Sequence, residues 1–394
     1  MKQILEGIRV VDLTTAYSGP FATMQLADFG AEVIKIENSR HGDPSRGWTP
    51  LVRDRSVSFP AFNRNKKSVT LNLKDPAGKE ALLKLVATAD VVTENFRPGT
   101  MEKLGLSFEE LKKAKPDLIM ASLSGYGQTG PMARMSAYSN LAEAMSGVMY
   151  LTGFPDGMPT GSGEALGDSI TGLYMALGIV LALFHRMRTG EGQYIDIAMT
   201  DALVGMLEHH LVYASTSGKN SERFGNRDPA CYPYDLFQAK DGYCFLSVSN
   251  VQDWRPFAKA TELEYLLDDP RFLTNELRVE HADELFVYIN DWCKQHTRAE
   301  VQAAFEAEHQ GFSPVLSPLE VMENEQINAR GMIVEMQDPV LGAYKVQGIP
   351  LKMSGTPGQV RTPAPEMGAS NQEILSSLGY SEEQIAQMRA AQII

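Results

Sequence analysis

The first 150 residues alternate between short β-branched runs and stretches of helical character. Ile8 to Leu13 and Glu32 to Glu37 are two such runs, and the helical segment between them ends at Gly30. Gly19-Pro20 places proline in the first turn of that segment, where its missing N–H costs no hydrogen bond. Further strand candidates each follow a helical stretch: Val91 to Glu94 and Leu118 to Leu123. This alternation predicts an α/β fold with an open, mostly parallel sheet.

The pattern changes after residue 165. Leu166 to Arg188 is apolar around its circumference, which predicts a long and mostly buried helix. From about Gly225 the chain is rich in aromatic and β-branched residues, with a hairpin predicted over Tyr234 to Val248. The other predicted elements are a strand at Gln193 to Ala198, helices near 281 to 295 and 298 to 308, a loop at Gly311 to Pro318, a hairpin-like segment at Met332 to Met353 and a terminal helix at Ser381 to Ala391.

Composition disfavours several classes of protein. The chain has 394 residues and a net charge of −13, which argues against binding to nucleic acid or to an anionic membrane. Its three cysteines lack the spacing of a zinc site or a disulfide framework. The N-terminus is too charged for a signal peptide, and the longest apolar run, Leu173 to Phe184, has only 12 residues. We therefore expect a cytoplasmic protein without a membrane span.

One carboxylate stands at the start of the long apolar helix, among small residues. Asp168 lies between Gly167 and Ser169. Asp is a preferred helix N-cap, but a carboxylate at this place is also suited to nucleophilic attack, since the helix start stabilises its ionised form. The nearby Gly163, Gly167 and Gly172 serve either close helix packing or the approach of a large substrate. The residues alone leave both choices open.

Seven further segments follow one another between residues 5 and 131. They are Leu5 to Leu13, Gly19-Pro20, Phe29 to Glu37, Gly42 to Trp48, Asn63 to Ser68, Glu94 to Gly99 and Ser124 to Pro131. In this order, and together with the Gly-Asp-Ser segment at 167 to 169, they make the chain resemble the family III CoA-transferases, also called CaiB/BaiF proteins. That group includes formyl-CoA transferase and acetyl-CoA:oxalate CoA-transferase, with the 2-methylacyl-CoA racemases as a divergent branch.

The resemblance implies a large Rossmann-like domain and a smaller α+β domain, in two chains interlocked as a homodimer. We accordingly expect residues 1–200 and 330–394 to form a large, CoA-binding catalytic domain and residues 225–310 to form the small domain. The linkers then fall at 201–224 and 311–329. The interlocking is inherited from the resemblance alone.

In this family the aspartate of the Gly-Asp-Ser segment is acylated during turnover, and Asp168 occupies its position. The implied reaction moves CoA from an acyl-CoA to a free carboxylic acid through an aspartyl anhydride and an aspartyl-CoA thioester. CoA is then a substrate, and neither a tightly bound cofactor nor a metal is implied. The implied CoA contacts are Ala16, Tyr17, Ser18, Leu71, Lys74, Asn95, Phe96, Arg97, Lys103 and Tyr138, with Arg40 in place of a family arginine that is Asn38 here.

Basic residues offer candidate anion sites. The tract Asn63 to Lys67 is either a solvated surface run or part of the CoA site. Arg46, Arg134 and Arg227 lie next to family motifs and are candidates for binding the second carboxylate of a short dicarboxylic acid, of the oxalate or succinate class. Formyl transfer is less favoured, because Phe224 to Pro229 resembles the acetyl-CoA:oxalate and carnitine enzymes instead of carrying a glycine run.

Two other functions remain as alternatives. A racemase of the same family needs a histidine to pair with the aspartate, and Ala137-Tyr138-Ser139 occupies that place. A NAD-dependent dehydrogenase needs a Gly-x-Gly-x-x-Gly turn after the first strand, where this chain has Thr15 to Pro20 with one glycine. Both are less favoured than CoA transfer.

Overall fold

The computed structural model describes residues 3–248 and 250–394. Its strands are β1 (Arg9–Asp12), β2 (Glu32–Glu37), β3 (Leu51–Val52), β4 (Arg55–Ser56), β5 (Lys66–Thr70), β6 (Val91–Glu94), β7 (Ile119–Ser124), β8 (Tyr194–Ala198), β9 (Tyr234–Ala239), β10 (Gly242–Ser247), β11 (Gly311–Pro314), β12 (Ile333–Asp338) and β13 (Gly342–Gln347). Its α-helices are α1 (Ser18–Asp28), α2 (Ser58–Phe62), α3 (Pro76–Val86), α4 (Thr100–Leu104), α5 (Phe108–Ala114), α6 (Ser139–Ser146), α7 (Val148–Leu151), α8 (Leu166–Thr189), α9 (Met199–Val204), α10 (His210–Ser217), α11 (Trp254–Ala260), α12 (Asn275–Glu280), α13 (Ala282–Cys293), α14 (Arg298–Ala307), α15 (Pro318–Glu323), α16 (Glu325–Ala329), α17 (Asn371–Ser377) and α18 (Glu382–Ala390).

Six strands form one parallel sheet in the order β5-β2-β1-β6-β7-β8. Val11 at its centre lies opposite Ile34 in β2 and Val92 in β6. Separate apolar clusters are buried on the two faces of the sheet, so helices cover it on both sides, as parallel sheets require. The predicted α/β fold with an open parallel sheet is confirmed.

The order of the strands reverses between β1 and β6. In open sheets of this kind, ligands bind in the crevice outside the carboxyl ends of the two strands at the reversal. The loops that leave β1 and β6 are joined there, because the Asn95 side chain accepts a hydrogen bond from the Thr15 N–H and donates one to the Thr15 carbonyl, each at 2.8 Å. The fold therefore places residues 14 to 18 and 95 to 97 together at the expected ligand position.

The chain divides into two compact units. The larger consists of Met1–Met149, Gly161–Thr216 and Glu325–Ile394, and the smaller of Tyr150–Thr160 and Ser217–Asn324. In the smaller unit, β9 and β10 form the expected antiparallel hairpin. The two units differ from the division expected from sequence. Tyr150–Thr160 belongs to the smaller unit. Of the expected linkers, 201–216 and 325–329 belong to the larger unit, and 217–224 and 311–324 to the smaller. Residues 311–314 form strand β11, which pairs with β10.

Helix α8 corrects one expectation. Its inner side packs on the sheet and on α1 through Met175 and Ile179, which are fully buried. Its outer side is not buried in the chain, since Leu181, Phe184 and Met187 are 59%, 57% and 84% exposed. Among the described residues, α8 is the one helix long and apolar enough to cross a membrane, a property that core helices of globular proteins also share. The prediction that the helix is mostly buried is wrong for the single chain.

Two lysine–aspartate pairs lie buried beneath the carboxyl end of β1. Lys66 Nζ lies 3.0 Å from Asp12 Oδ2, and Lys35 Nζ lies 2.7 Å from Asp43 Oδ2, with all four side chains fully buried. Burial alone raises the pKa of Asp12, but Lys66 and Lys35 outweigh it and lower that pKa to about 2. Burial lowers the pKa of Lys66 to about 8. Each charge therefore depends on its partner.

The basic tract Asn63 to Lys67 lies in the same region, and two of its basic side chains are buried. Arg64 is 1% exposed and pairs with Asp28 at 2.6 Å, while Lys66 begins strand β5, which the sequence pattern does not predict. Two of its basic residues, Arg64 and Lys66, thus belong to buried ion pairs inside the protein. The tract is neither a solvated surface run nor available to hold a phosphate through these residues.

We predict that Asp12→Asn strongly destabilises the protein. The change leaves the buried Lys66 charge without its paired anion, while Lys35 keeps Asp43, and losing one partner of a buried pair typically costs about 3–5 kcal/mol. Urea unfolding followed by circular dichroism measures the effect. Glu110→Gln, which breaks the exposed pair with Lys113, is the control and should change stability little. Equal stability of the two variants would contradict the role given to the buried pairs.

Candidate active site

Asp168 is the third residue of α8 and is not the helix cap. The N-cap position is Ala165, which makes no side-chain cap hydrogen bond. Ser18, at the start of α1, lies close enough for its hydroxyl and backbone N–H to favour the ionised form of the Asp168 carboxylate and so to lower its pKa. The carboxylate therefore lies where α1 and α8 meet, at the switch point of the sheet.

The electrostatic setting of Asp168 differs from that of an exposed carboxylate. Burial raises its pKa, the hydrogen bonds from Ser18 oppose this in part, and the nearby charge of Glu143 raises it further. A desolvated carboxylate is less stabilised by water and so is a better nucleophile when ionised. The helix start does not lower the pKa of this group below its usual range, contrary to the expectation from position alone.

A chain of hydrogen bonds supports the backbone at Asp168. The Gly167 N–H donates to Ser139 Oγ at 2.9 Å, and that hydroxyl donates to Glu143 Oε1 at 2.8 Å. The second carboxylate oxygen of Glu143 accepts from the N–H and hydroxyl of Ser162 at 3.0 and 2.9 Å. Glu143 is fully buried, so these bonds satisfy a charge that has no water. The sequence pattern did not identify Glu143.

The glycines near Asp168 serve helix packing. A Cβ on Gly172 would lie 2.7 Å from the Ser18 carbonyl oxygen, and one on Gly167 would lie 3.1 Å from Ser139 Oγ. The first distance is shorter than a Cβ atom tolerates against backbone, and the second is a tight contact that would require Ser139 to shift by a few tenths of an ångström. Gly172 thereby lets α1 approach α8 closely enough for Ser18 to reach Asp168. Gly163 has no such neighbour and is not explained by packing.

The loop after β1 has an unusual backbone conformation at Ala16, and the buried charges of Lys35 and Asp43 hydrogen-bond to the backbone of this loop. Ala16 has φ +70°, a left-handed value that is unfavourable for alanine. Its N–H donates to Asp43 Oδ1 at 3.3 Å, and Lys35 Nζ donates to the Thr14 carbonyl at 2.8 Å. The Lys35–Asp43 pair thus holds both ends of the turn that leads into Ser18.

A cavity of about 500 Å³ opens on Asp168. Six of the predicted CoA contacts line it with the aspartate: Ala16, Ser18, Asn95, Phe96, Arg97 and Tyr138. Among the described lining residues, Arg97 is the one cation and Asp168 the one anion. Trp48 and Ser124 also line it and were not among the predicted site residues. Their motifs were visible in the sequence, but nothing in them indicated a role.

A second cavity, of about 590 Å³, lies beside the first. Arg40, Leu71, Lys74 and Phe96 line it, and Phe96 lines both cavities. Tyr17 and Lys103 line neither of them. The Tyr17 ring stacks on Phe62 at 4.1 Å and its hydroxyl lies 2.7 Å from Ser169 Oγ, while Lys103 is exposed on α4.

The three arginines considered for a second carboxylate do not line the Asp168 cavity. Arg46 binds Glu37 with two nitrogens, each at 2.7 Å, and Arg227 pairs with Asp235 and Asp283 within the smaller unit. Arg134 lines a third cavity, of about 620 Å³, with Glu94, whose pKa is raised to about 7 by burial. Arg97 borders both this cavity and the Asp168 cavity. Arg46 and Arg227 are thus already paired with carboxylates, and Arg97 is the one cation among the described residues that line the Asp168 cavity.

We predict that Glu143→Gln shifts the pH dependence of catalysis. Glu143 raises the pKa of Asp168, so removing its charge should let Asp168 stay ionised at lower pH. The acidic limb of kcat/KM against pH should move to lower pH, while glutamine keeps most of the hydrogen bonds. Glu191→Gln, in the exposed turn after α8, is the control. An acidic limb that does not move would show that Glu143 leaves the titration of the reacting group unchanged.

Comparison with known proteins identifies the family of this chain. The model of CoA-transferase family III matches residues 5–371. This chain is 37% identical to succinyl-CoA–D-citramalate CoA-transferase of Chloroflexus aurantiacus, in an alignment that covers 99% of this chain and 98% of that protein. It is 40% identical to acetyl-CoA:oxalate CoA-transferase of Acetobacter aceti over 89% of each chain. The crystal structure of a CaiB/BaiF family protein from Brucella suis matches 96% of this chain and all of its own, with a TM-score of 0.89 at 33% identity. The chain belongs to the family III CoA-transferases.

Proposed function

We propose that this CoA-transferase moves CoA from an acyl-CoA to a free, short dicarboxylic acid, with Asp168 as the covalent nucleophile. The observation that supports this most is the placement of Asp168. It lies at the switch point of the sheet, in a cavity that Phe96 joins to a second cavity bearing Arg40 and Lys74. Two basic groups beside an apolar slot suit a phosphate-bearing nucleotide, and the first cavity suits its reactive end.

The proposed relay needs neither ATP nor a redox partner. Asp168 attacks the thioester carbonyl of the donor, which forms a mixed anhydride and releases CoA thiolate. The thiolate attacks the aspartyl carbonyl, so the donor acid leaves and an aspartyl-CoA thioester remains. The acceptor carboxylate attacks this thioester, which gives a second anhydride and CoA thiolate again. The thiolate then attacks the acceptor's acyl carbon, and Asp168 is regenerated as the new acyl-CoA leaves.

The proposed position of CoA follows the two joined cavities. We place its nucleotide end in the second cavity against Leu71, with Arg40 and Lys74 near the phosphates. The pantetheine arm then passes Phe96 toward Asp168, along Ala16 and Asn95. In this arrangement CoA is a substrate held by a surface crevice, and no tightly bound cofactor is part of the proposal.

Two observations support a dicarboxylic acid as the acceptor: the charge of Arg97 in the Asp168 cavity and the substrates named for similar proteins. Arg97 offers a planar, permanently charged group in the Asp168 cavity, which suits a second carboxylate that is not reacting. Relatives at 37% and 40% identity carry the names of citramalate and oxalate transferases, and both acids have two carboxylates. The racemase alternative gains no support, because Tyr138 is 73% exposed and stands where that branch has its second base.

We also propose that the enzyme is a homodimer. The outer side of α8 presents Leu181, Phe184 and Met187 to solvent, and a row of large apolar side chains on a helix usually marks an interface. A second copy of the chain would cover this face in a soluble, cytoplasmic protein. Sedimentation velocity should show a dimer whose mass stays constant on dilution, and Leu181→Glu with Phe184→Glu should weaken it. A stable folded monomer would contradict the proposal.

We predict that Asp168→Ala lowers CoA transfer by at least about a thousandfold, because the covalent nucleophile is lost. CoA binding and the melting temperature should change little, since the cavities remain. Asp201→Ala, at an exposed acid in the first turn of α9, is the control and should keep its activity. Formation of acyl-CoA products measured by mass spectrometry decides the outcome. Near wild-type turnover in Asp168→Ala would rule out the covalent relay.

A further inference from the structure

Glu94 is the last residue of β6, beside the reversal in strand order. The residue is 3% exposed, so its carboxyl group is almost entirely removed from water. Glu94 has acids nearby, since Glu102 and Asp196 both raise its pKa. Other buried carboxylates at this end of the sheet have a cation beside them, in the pairs Asp12–Lys66, Glu37–Arg46 and Asp43–Lys35. A carboxyl group that is buried beside two acids is costly, which makes the contact it forms significant.

The Glu94 carboxylate holds the backbone of the loop that follows β6. Its Oε2 accepts a hydrogen bond from the Phe96 N–H at 2.7 Å. The residue between them, Asn95, is tied to the loop after β1 through its two hydrogen bonds with Thr15. A side chain that bonds the N–H two residues on closes a tight turn, and an ionised acceptor makes that bond about twice as strong as a neutral one does. Glu94 and Thr15 thus fix residues 95 and 96 from two sides.

The loop held by Glu94 faces the proposed substrates. Phe96 lines both the Asp168 cavity and the second cavity, and Arg97 lines the Asp168 cavity. Glu94 lines neither of these two, but belongs to the third cavity, which shares Arg97 and Pro98 with the Asp168 cavity. Glu94 can therefore act on a substrate through the loop, and not by direct contact.

The protonation state of Glu94 decides how strongly the loop is held. Burial raises the pKa of Glu94 to about 7, the Ser122 hydroxyl and the Phe96 N–H offset this in part, and Glu102 and Asp196 raise it further. The side chain is thus ionised above about pH 7 and neutral below it. Only the ionised form makes the stronger, charge-assisted bond to the Phe96 N–H.

The groups around Glu94 differ from it in their titration. Tyr194 on β8 stays neutral near pH 7, because burial raises its pKa to about 12. The other charged groups that act on Glu94 or line its cavity are all exposed: Asp196 on β8, Glu102 on α4, Glu109 on α5, and Arg97 and Arg134 in the loops. Exposed carboxylates and guanidinium groups ordinarily titrate well away from pH 7.

We propose that Glu94 is a positioning residue of the Asp168 site, whose carboxylate orients the Asn95-Phe96-Arg97 loop for substrate and whose protonation weakens that hold. This inference rests on the proposed CoA transfer at Asp168 and adds to it a residue that acts through the loop. The loop is a short connection between β6 and α4. A change in the orientation of Phe96 therefore moves a wall of both cavities, and small errors in the position of a substrate lower the rate strongly.

Glu94→Gln tests the proposal, because glutamine keeps the size and an acceptor oxygen but not the charge. The substrate pair is the one that turns over fastest in a screen of succinyl-CoA and acetyl-CoA against oxalate, succinate and glutarate. At pH 8, kcat/KM should be roughly three- to thirtyfold lower in the variant than in the wild-type protein. The gap should close as the pH falls to 6, where Glu94 of the wild-type protein is itself neutral. Asp168 titrates in both proteins, so its effect cancels in their ratio.

Glu109→Gln is the matched control. It removes an exposed acid from the same cavity, and its kcat/KM should equal the wild-type value at both pH values.

The melting temperature separates a positioning role from a structural one. A carboxyl group whose pKa is raised on folding costs stability as the pH rises from its ordinary pKa, 4.5 for Glu94, through about 7. Glu94→Gln should therefore keep or raise the melting temperature at pH 8 while it lowers kcat/KM.

Each other outcome has a definite meaning. Equal kcat/KM at pH 8, a gap that does not change with pH, or a loss of activity together with a lower melting temperature overturns the role of Glu94. With Asp168→Ala inactive in the same assay, the proposed function stands in each of those cases. An active Asp168→Ala contradicts the proposed function itself.

Discussion

The site depends on two buried ion pairs, Asp12–Lys66 and Lys35–Asp43. These four charged side chains are fully buried, so their hydrogen-bond and ionic partners must come from the protein itself. The pairs therefore fix the positions of the backbone and side-chain groups that hydrogen-bond to them. One of those groups is the turn after β1, which Lys35 and Asp43 hold at its carbonyl and N–H groups. The turn ends at Ser18, the residue whose hydroxyl and N–H favour the ionised form of Asp168. Electrostatics in the core of the sheet thus determines the position of a group at its edge.

Helix packing supplies the other half of the geometry. Gly172 allows α1 and α8 to approach closely, and the Ser139–Glu143 pair holds the backbone at Gly167. The carboxylate that results is partly desolvated and lies near a second acid, so its pKa is raised rather than lowered. Such a carboxylate is poorly stabilised in the ground state, which is what an attacking group requires, while Ser18 keeps it oriented.

Much of this fold could be predicted from the sequence, because alternating strands and helices have few ways to pack. The position of Asp168 was also predictable, from the family motif. Strand β5 was not, since its first two residues are lysines and only the structure shows that Lys66 is neutralised by Asp12. The partner of Arg46 and the exposed side of α8 depend on how parts of the chain pack together, and Arg227 finds a partner, Asp283, that is 56 residues away. No local pattern encodes them.

Transfer of oxygen to Asp168 tests the covalent relay most directly. In the proposed sequence, the acceptor acid loses one carboxylate oxygen to the aspartate each time Asp168 is regenerated. The enzyme is incubated with acyl-CoA and an ¹⁸O-labelled acceptor acid, digested, and the peptide that contains Asp168 is weighed by mass spectrometry. The account predicts ¹⁸O in the Asp168 side chain, dependent on acyl-CoA. Complete turnover of the labelled acid without any label on that residue would contradict it.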